Sequence, residues 1–152
     1  MSMSMFVPDA VSEAWSILDE TMTAVVKFAQ GLVTYEILVV TGDKRGAGTD
    51  ANVSITIIGS DGSSGKRKLT EKFRNLFERG QTDTFRIECK GLGDIEKCII
   101  EHDGTGFGAG WYLERIEVMN MRNRKRYKFH CDAWLDPNKG DGKTRRDLFP
   151  TF

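Results

Sequence analysis

What most constrains this chain is a change of period at Gly31. Beyond it, apolar and polar residues alternate in short runs, and Gly, Asp, Asn and Ser separate the runs. Phe85, Ile87 and Cys89 alternate with Thr84, Arg86, Glu88 and Lys90, and Val53, Ile55 and Ile57 alternate with Ser54 and Thr56. Tyr127, Phe129 and Cys131 stand in the same relation to Lys128 and His130. Successive side chains on a strand point to opposite faces, so each run has one apolar face to bury. Candidate strands cover residues 34–41, 53–59, 67–70, 84–90, 95–102, 112–119 and 126–135. Many half-apolar strands at short spacing predict an all-β fold of two antiparallel sheets packed face to face. The segments 60–65, 91–94, 103–110 and 136–142 read as connections, because Gly tolerates positive φ and Asp bonds its own backbone.

Before Gly31 the spacing is helical. Val11, Ala14, Trp15, Leu18, Met22, Val25, Val26 and Ala29 fall along one stripe of a helix. Pro8 and Asp9 suit its first turn, and Gly31 suits the stop just past its end. The division expected is an N-terminal amphipathic helix within residues 1–33 and a β domain over 34–152. The stripe needs a cover, which the β domain itself, a neighbouring domain in a longer parent protein, a second copy of the chain or a membrane surface could supply. Glu13, Asp19 and Glu20 on the polar side disfavour the membrane, since interfacial helices carry Lys and Arg there.

Lys plus Arg and Asp plus Glu number 22 each, giving a net charge of +0, so no global field draws in nucleic acid. Local basic runs remain at Lys66-Arg67-Lys68 and across residues 122–128. The start lacks a basic segment followed by a long apolar one, and no apolar stretch is long enough to span a bilayer. A soluble, non-secreted product is expected. Cys89, Cys98 and Cys131 are an odd set without C-x-x-C spacing, which suits buried thiols better than disulfides or zinc. His130 and Cys131 are strand neighbours pointing to opposite faces, so they cannot act as base and nucleophile. Residues 104–110 lack the phosphate-loop pattern. Asp136, Asn138 and Asp147 have the spacing of a helix-loop-helix calcium loop, but Pro137, Gly140 and Asp141 break it.

Several motifs, in order, carry a resemblance. They are Gly42-Asp43-Lys44-Arg45-Gly46-Ala47-Gly48-Thr49-Asp50-Ala51-Asn52-Val53, Phe77-Glu78-Arg79-Gly80, Leu92-Gly93-Asp94, His102-Asp103-Gly104, Gly110-Trp111-Tyr112-Leu113-Glu114-Arg115, Phe129-His130-Cys131-Asp132-Ala133-Trp134-Leu135 and Leu148-Phe149-Pro150. Together they resemble the PLAT domain, also called LH2 or the lipoxygenase-homology domain. The first two are most similar to animal proteins built from tandem PLAT repeats, and next to the polycystin branch. The fold this implies is an eight-stranded antiparallel sandwich of two four-stranded sheets. The preceding helix has no counterpart in the family motif.

The resemblance implies a non-catalytic module for membrane targeting or protein docking, with a phospholipid surface or a membrane-associated protein as partner and no nucleic acid. Lipoxygenases keep their iron in a separate helical domain, which this sequence does not contain. Some PLAT domains bind Ca2+ through loops at one end, and Gly46, Gly48, Thr49 and Asp50 occupy the matching loop. The chain departs from calcium-binding relatives at Gly46 and Gly110, where they carry acidic residues. The expected contact residues are Phe107, Trp111, Lys66, Arg67 and Lys68, with Asp61 grouped at the same loop end. Trp111 also reads as a core or end-cap aromatic, and Phe107 as a ring folded back over the core. The expected location is cytoplasmic, peripheral at a membrane. The rival is an adaptor that binds proteins through the helix or a sheet surface, with no lipid role.

Overall fold

The computed structural model describes the backbone of residues 9–152 and the side chains from residue 19 onward. Pro8 and the side chains of Val11, Ala14, Trp15 and Leu18 therefore lie outside the described residues. The helix α1 runs Asp9–Ala29, and its last turn closes with Gly31 N–H donating to the Phe28 carbonyl at 3.0 Å. Gly31 adopts φ 72°, the left-handed stop that Gly supplies without a Cβ penalty. Met22, Val25 and Val26 are exposed. The chain divides into two compact units, Met1–Leu32 and Val33–Phe152.

Nine strands follow: β1 Leu32–Thr41, β2 Val53–Gly59, β3 Gly62–Ser63, β4 Arg67–Lys68, β5 Thr82–Lys90, β6 Ile95–His102, β7 Trp111–Asn120, β8 Arg126–Leu135 and β9 Arg145–Leu148. They form two antiparallel sheets, as the alternation predicts. One has the order β5-β1-β7-β8; the other has β3-β2-β6-β9, with β4 also paired to β2. The strand inventory departs from eight because β3 and β4 are separate two-residue pieces along β2. The strand β9 arises in a segment with no alternation to read.

Alternation becomes the core directly. Tyr35, Ile37 and Val39 of β1, Ile55 and Ile57 of β2, Leu113, Ile116 and Val118 of β7, and Phe129 of β8 are buried between the sheets. Each such side chain contributes about 1.5–3 kcal/mol relative to exposure. The β7–β8 register slips between Leu113 and Arg115, so Cys131 and Asp132 together oppose Glu114. Asp132 takes φ 48° within this bulge. The bulge explains why Cys131 is only half-buried although it continues the face of Tyr127 and Phe129. It also pairs Trp134 with Tyr112.

The registers gather four connections at one end. Val53 pairs with His102, Thr41 with Leu113, and Glu101 with Arg145. Residues 42–52, 69–81, 103–110 and 136–144 therefore emerge together. Asp61 does not belong there: β2 runs away from that end, so its hairpin with β3 sits at the opposite one. Here the structure corrects the sequence-based grouping.

Candidate functional site

Thr49 is the centre of the loop end. Its N–H donates to the Phe77 carbonyl at 3.0 Å, and its hydroxyl donates to the Ala109 carbonyl at 2.7 Å while accepting Ala51 N–H at 3.1 Å. Three loops are joined through one buried residue. Asp103 adds a second tie. Its carboxylate accepts from Asn52 N and Nδ2 at 3.0 and 2.6 Å, and from Thr105 N and Oγ1 at 3.1 and 2.6 Å. The Thr105 hydroxyl first, and then Asn52, hold this carboxyl well below the usual carboxylate range.

The loop 69–81 is pinned from below. The carboxylate of Asp83 is buried and accepts from Phe77 N at 2.8 Å and Gln81 Nε2 at 2.6 Å. Phe77 is buried at φ 59°, with its ring centroid 5.8 Å from Phe85 and 5.4 Å from Trp111. Trp111 is fully buried and donates from Nε1 to Thr41 Oγ1 at 3.0 Å. It is therefore a core residue, and its expectation as a surface contact is corrected.

This scaffold leaves two rings outside. Phe107 is 98% exposed at the tip of 103–110, so the reading in which it folds over the core does not hold. Phe73 is 103% exposed and held at φ 62°, a left-handed conformation uncommon for a bulky residue. Nothing in the sequence singles Phe73 out. It sits between Lys72 and Arg74 in a charged stretch, and only the backbone turn reveals its outward projection. Between the 42–52 and 69–81 loops lies a polar recess of about 250 Å³, lined by Asp50, Asn52, Glu71, Arg74, Asn75 and Glu78 among others.

Cations flank this end unequally. Lys68 pairs in register with Ser54 and is exposed, while Lys66 is exposed and lies 3.4 Å from Glu101. Arg67 is half-buried and spends its donors on the Ser64 and Glu88 carbonyls at 2.9 and 3.3 Å, so it is a structural tie more than a free contact. On the outer face of the first sheet, Lys44 lies 4.2 Å from the Tyr112 ring and Lys139 lies 4.0 Å from the Trp134 ring. The two rings meet edge to face at 5.3 Å.

The four residues expected at a metal do not suit Ca2+, which takes six to eight oxygens. The Thr49 hydroxyl is committed to the fold, and a Cβ at Gly48 would stand 3.1 Å from the backbone of Phe77 and Arg79. The ammonium of Lys139 approaches Gly46, and Asp50 is the one carboxylate of the set. Among the described residues no three acidic, His or Cys side chains converge as metal ligands. The Gly110 position is also filled, because a Cβ there would fall on the carboxylate of Asp136.

Neither the His102 imidazole nor the three thiols stand free for acid–base or nucleophilic chemistry. Buried His102 hydrogen-bonds through Nε2 to the Leu135 carbonyl at 2.7 Å, and its Nδ1 accepts Gly104 N–H at 3.0 Å. These partners assign the proton to Nε2. Burial pushes the Cys131 thiol up to about 11 and raises those of Cys89 and Cys98, keeping all three protonated.

The profile of the PLAT/LH2 domain matches residues 35–149. Human lipoxygenase homology domain-containing protein 1 is 51% identical over 119 residues, covering 78% of this chain and 6% of that protein. Mouse polycystin-1-like protein 3 is 36% identical over 117 residues, covering 76% and 5%. The chain thus spans a small fraction of these relatives. A solved coral 8R-lipoxygenase, described as calcium-activated via a C2-like domain, superposes with TM-score 0.69 at 30% identity. That match covers 77% of this chain and 17% of the coral enzyme.

Proposed function

The chain belongs to the PLAT/LH2 domain family, and from that membership we propose that it is a non-catalytic docking module whose loop end meets an anionic phospholipid surface. The observation that carries this reading is the pair Phe73 and Phe107, both almost fully exposed on loops that Thr49 ties together. Burying two such rings contributes about 3–6 kcal/mol, at about 1.5–3 each. Lys66, Lys68 and Lys72 are exposed, the first two lying beside this end, and each basic residue near an anionic surface adds about 1 kcal/mol. The sum supports reversible, peripheral attachment on the cytoplasmic face. The residues at 46–50 favour docking without calcium.

Co-sedimentation of the chain with phosphatidylserine-containing and purely zwitterionic vesicles, each with Ca2+ or chelator, tests the proposal. Binding should require the anionic lipid, persist in chelator and fall sharply in Phe73→Ala/Phe107→Ala. Equal sedimentation of that double variant and the unaltered chain would sink it.

The exposed Met22, Val25 and Val26 of α1 favour a second reading, in which the chain is an adaptor that presents a helix to another protein. Light scattering with and without residues 1–31 separates the two. A monomer of unchanged solubility in both forms counts against helix-mediated contact.

A further inference from the structure

The sandwich has an open side that begins at the loop end, beside residues 142–144. The strand β8 is outermost in one sheet and β9 in the other, so two strand edges without a neighbouring strand face each other there. The chain crosses between them at several points, one of them Asp136 N–H donating to the Lys143 carbonyl at 3.1 Å. Thr151 N–H donates to the Lys128 carbonyl at 2.8 Å, and Arg146 Nη2 donates to the Trp134 carbonyl and to Asp141 Oδ1, both at 2.8 Å. Alongside lies a cleft of about 790 Å³, with Cys131 on the β8 side and the unbroken run 142–148 on the other.

Register shows what the β9 edge offers. His102 N–H donates to the Thr144 carbonyl at 3.1 Å, one step beyond the pair Glu101–Arg145. Peptide groups alternate in direction along an antiparallel strand. Those of Thr144, Arg146 and Leu148 therefore turn toward β6, and those of Arg145 and Asp147 turn outward into the opening. Arg146 lines the same cleft, and its buried Nε is the one buried side-chain polar atom among the described residues that lacks a hydrogen-bond partner. A buried charged donor without an acceptor is an unmet demand. Lys143 and Arg145 place two more cations on the lip, while the carboxylate of Asp147 is engaged by Lys97 at 3.3 Å and stands 4.0 Å from the Arg145 guanidinium.

We propose that this cleft receives one extended, acidic segment of a partner protein, which adds as a strand to the outer edge of β9. Its backbone pairs with the outward peptide groups of Arg145 and Asp147. A carboxylate on its outward face answers the cations of Lys143 and Arg145. Cys131, half-buried and uncharged, and Leu148 give the neighbouring side chain an apolar floor. The four residues of β9 span about 13 Å, matching a strand of four or five residues. Strand addition of this kind draws affinity from main-chain bonds and selectivity from alternate side chains. The surface is separate from Phe73 and Phe107, so one chain could hold a membrane and a protein together.

The test uses the full chain, labelled for amide NMR, with a capped six-residue peptide alternating glutamate and valine and its lysine–valine counterpart. With the acidic peptide, the amides of Arg145 and Asp147 should shift and exchange more slowly, and the lysine peptide should leave them unchanged. Arg145→Glu should weaken the acidic peptide about tenfold. Asp147→Pro, which removes an outward N–H at an edge position where proline is tolerated, should abolish the response. Both variants should keep the amide spectrum of the unaltered chain outside residues 142–148, which shows that they are folded and keeps this result distinct from the loop-end proposal. Absence of shifts at Arg145 and Asp147 up to about 1 mM peptide, equal response to both peptides, or an undiminished response in Asp147→Pro would overturn the inference.

Discussion

The hydroxyl of Thr49 donates to the carbonyl of Ala109 across 2.7 Å, joining two segments separated by 60 residues in sequence. Because Thr49 N–H also reaches the Phe77 carbonyl, this residue fixes the loops bearing Phe73 and Phe107 relative to one another. Thr49→Val keeps the shape, but it leaves the Ala109 carbonyl and the Ala51 N–H without their partner. An unsatisfied buried group costs about 1–3 kcal/mol. The expected result is a melting temperature lower by several degrees, with faster amide exchange at Gly106 to Ala109. Unchanged exchange in that loop would show that Thr49 does not organise it.

Asp103 links the first and third loops, and its role should be visible in acid. Its carboxyl is held below the ordinary value by hydrogen bonds from Thr105 and Asn52. A depressed folded-state pKa means that the unfolded chain binds the proton more readily. The stabilisation is complete above about pH 4 and is lost as pH falls from there toward the folded-state value. Urea midpoints measured from neutral pH downward should decline less steeply below about pH 4 in Asp103→Asn than in the unaltered chain. Parallel slopes would assign the acid sensitivity to other carboxylates.

Much of the fold is legible in the sequence because burial follows period. Ile55, Ile57 and Phe129 need only alternation to be placed inside. The strand β9 is not legible. Arg145-Arg146-Asp147-Leu148 holds one apolar residue, and its pairing with β6 depends on a strand already in place. The loop end is legible only in part. Phe107 stands between glycines and advertises a tip, whereas Phe73 projects because its backbone turns left-handed, which its neighbours do not encode. Trp111 carries the aromatic type expected of a contact, yet its partner Thr41 lies 70 residues earlier. Asp61 shares turn chemistry with the loop end and is separated from it only by strand direction.

The burial of Trp111 gives a prediction that separates stability from docking. Trp111→Phe keeps a ring against Phe77 and removes the bond from Nε1 to Thr41 Oγ1. The lost bond and smaller volume should cost about 1–3 kcal/mol in chemical unfolding. Sedimentation with anionic vesicles should be unchanged at temperatures where the variant is folded. A large loss of vesicle binding in a fully folded variant would return Trp111 to the contact surface.

Gly110 and Asp136 form a lock between the loop before β7 and the one after β8. The carboxylate occupies the space a side chain at position 110 would need, and its Oδ1 accepts Asn138 N–H at 2.8 Å. Gly110→Ala must therefore displace a buried carboxylate, since Asp136 is 8% exposed. Overpacking of this kind costs about 1–3 kcal/mol. Asp136→Ala alone should cost about 1 kcal/mol through the lost bond. If steric conflict is the cause, the double variant should be more stable than the sum of the two single losses predicts, by about 1 kcal/mol or more in a double-mutant cycle. Strict additivity of the urea-derived values would show that Asp136 moves aside without cost, and that the two loops are not locked through this contact.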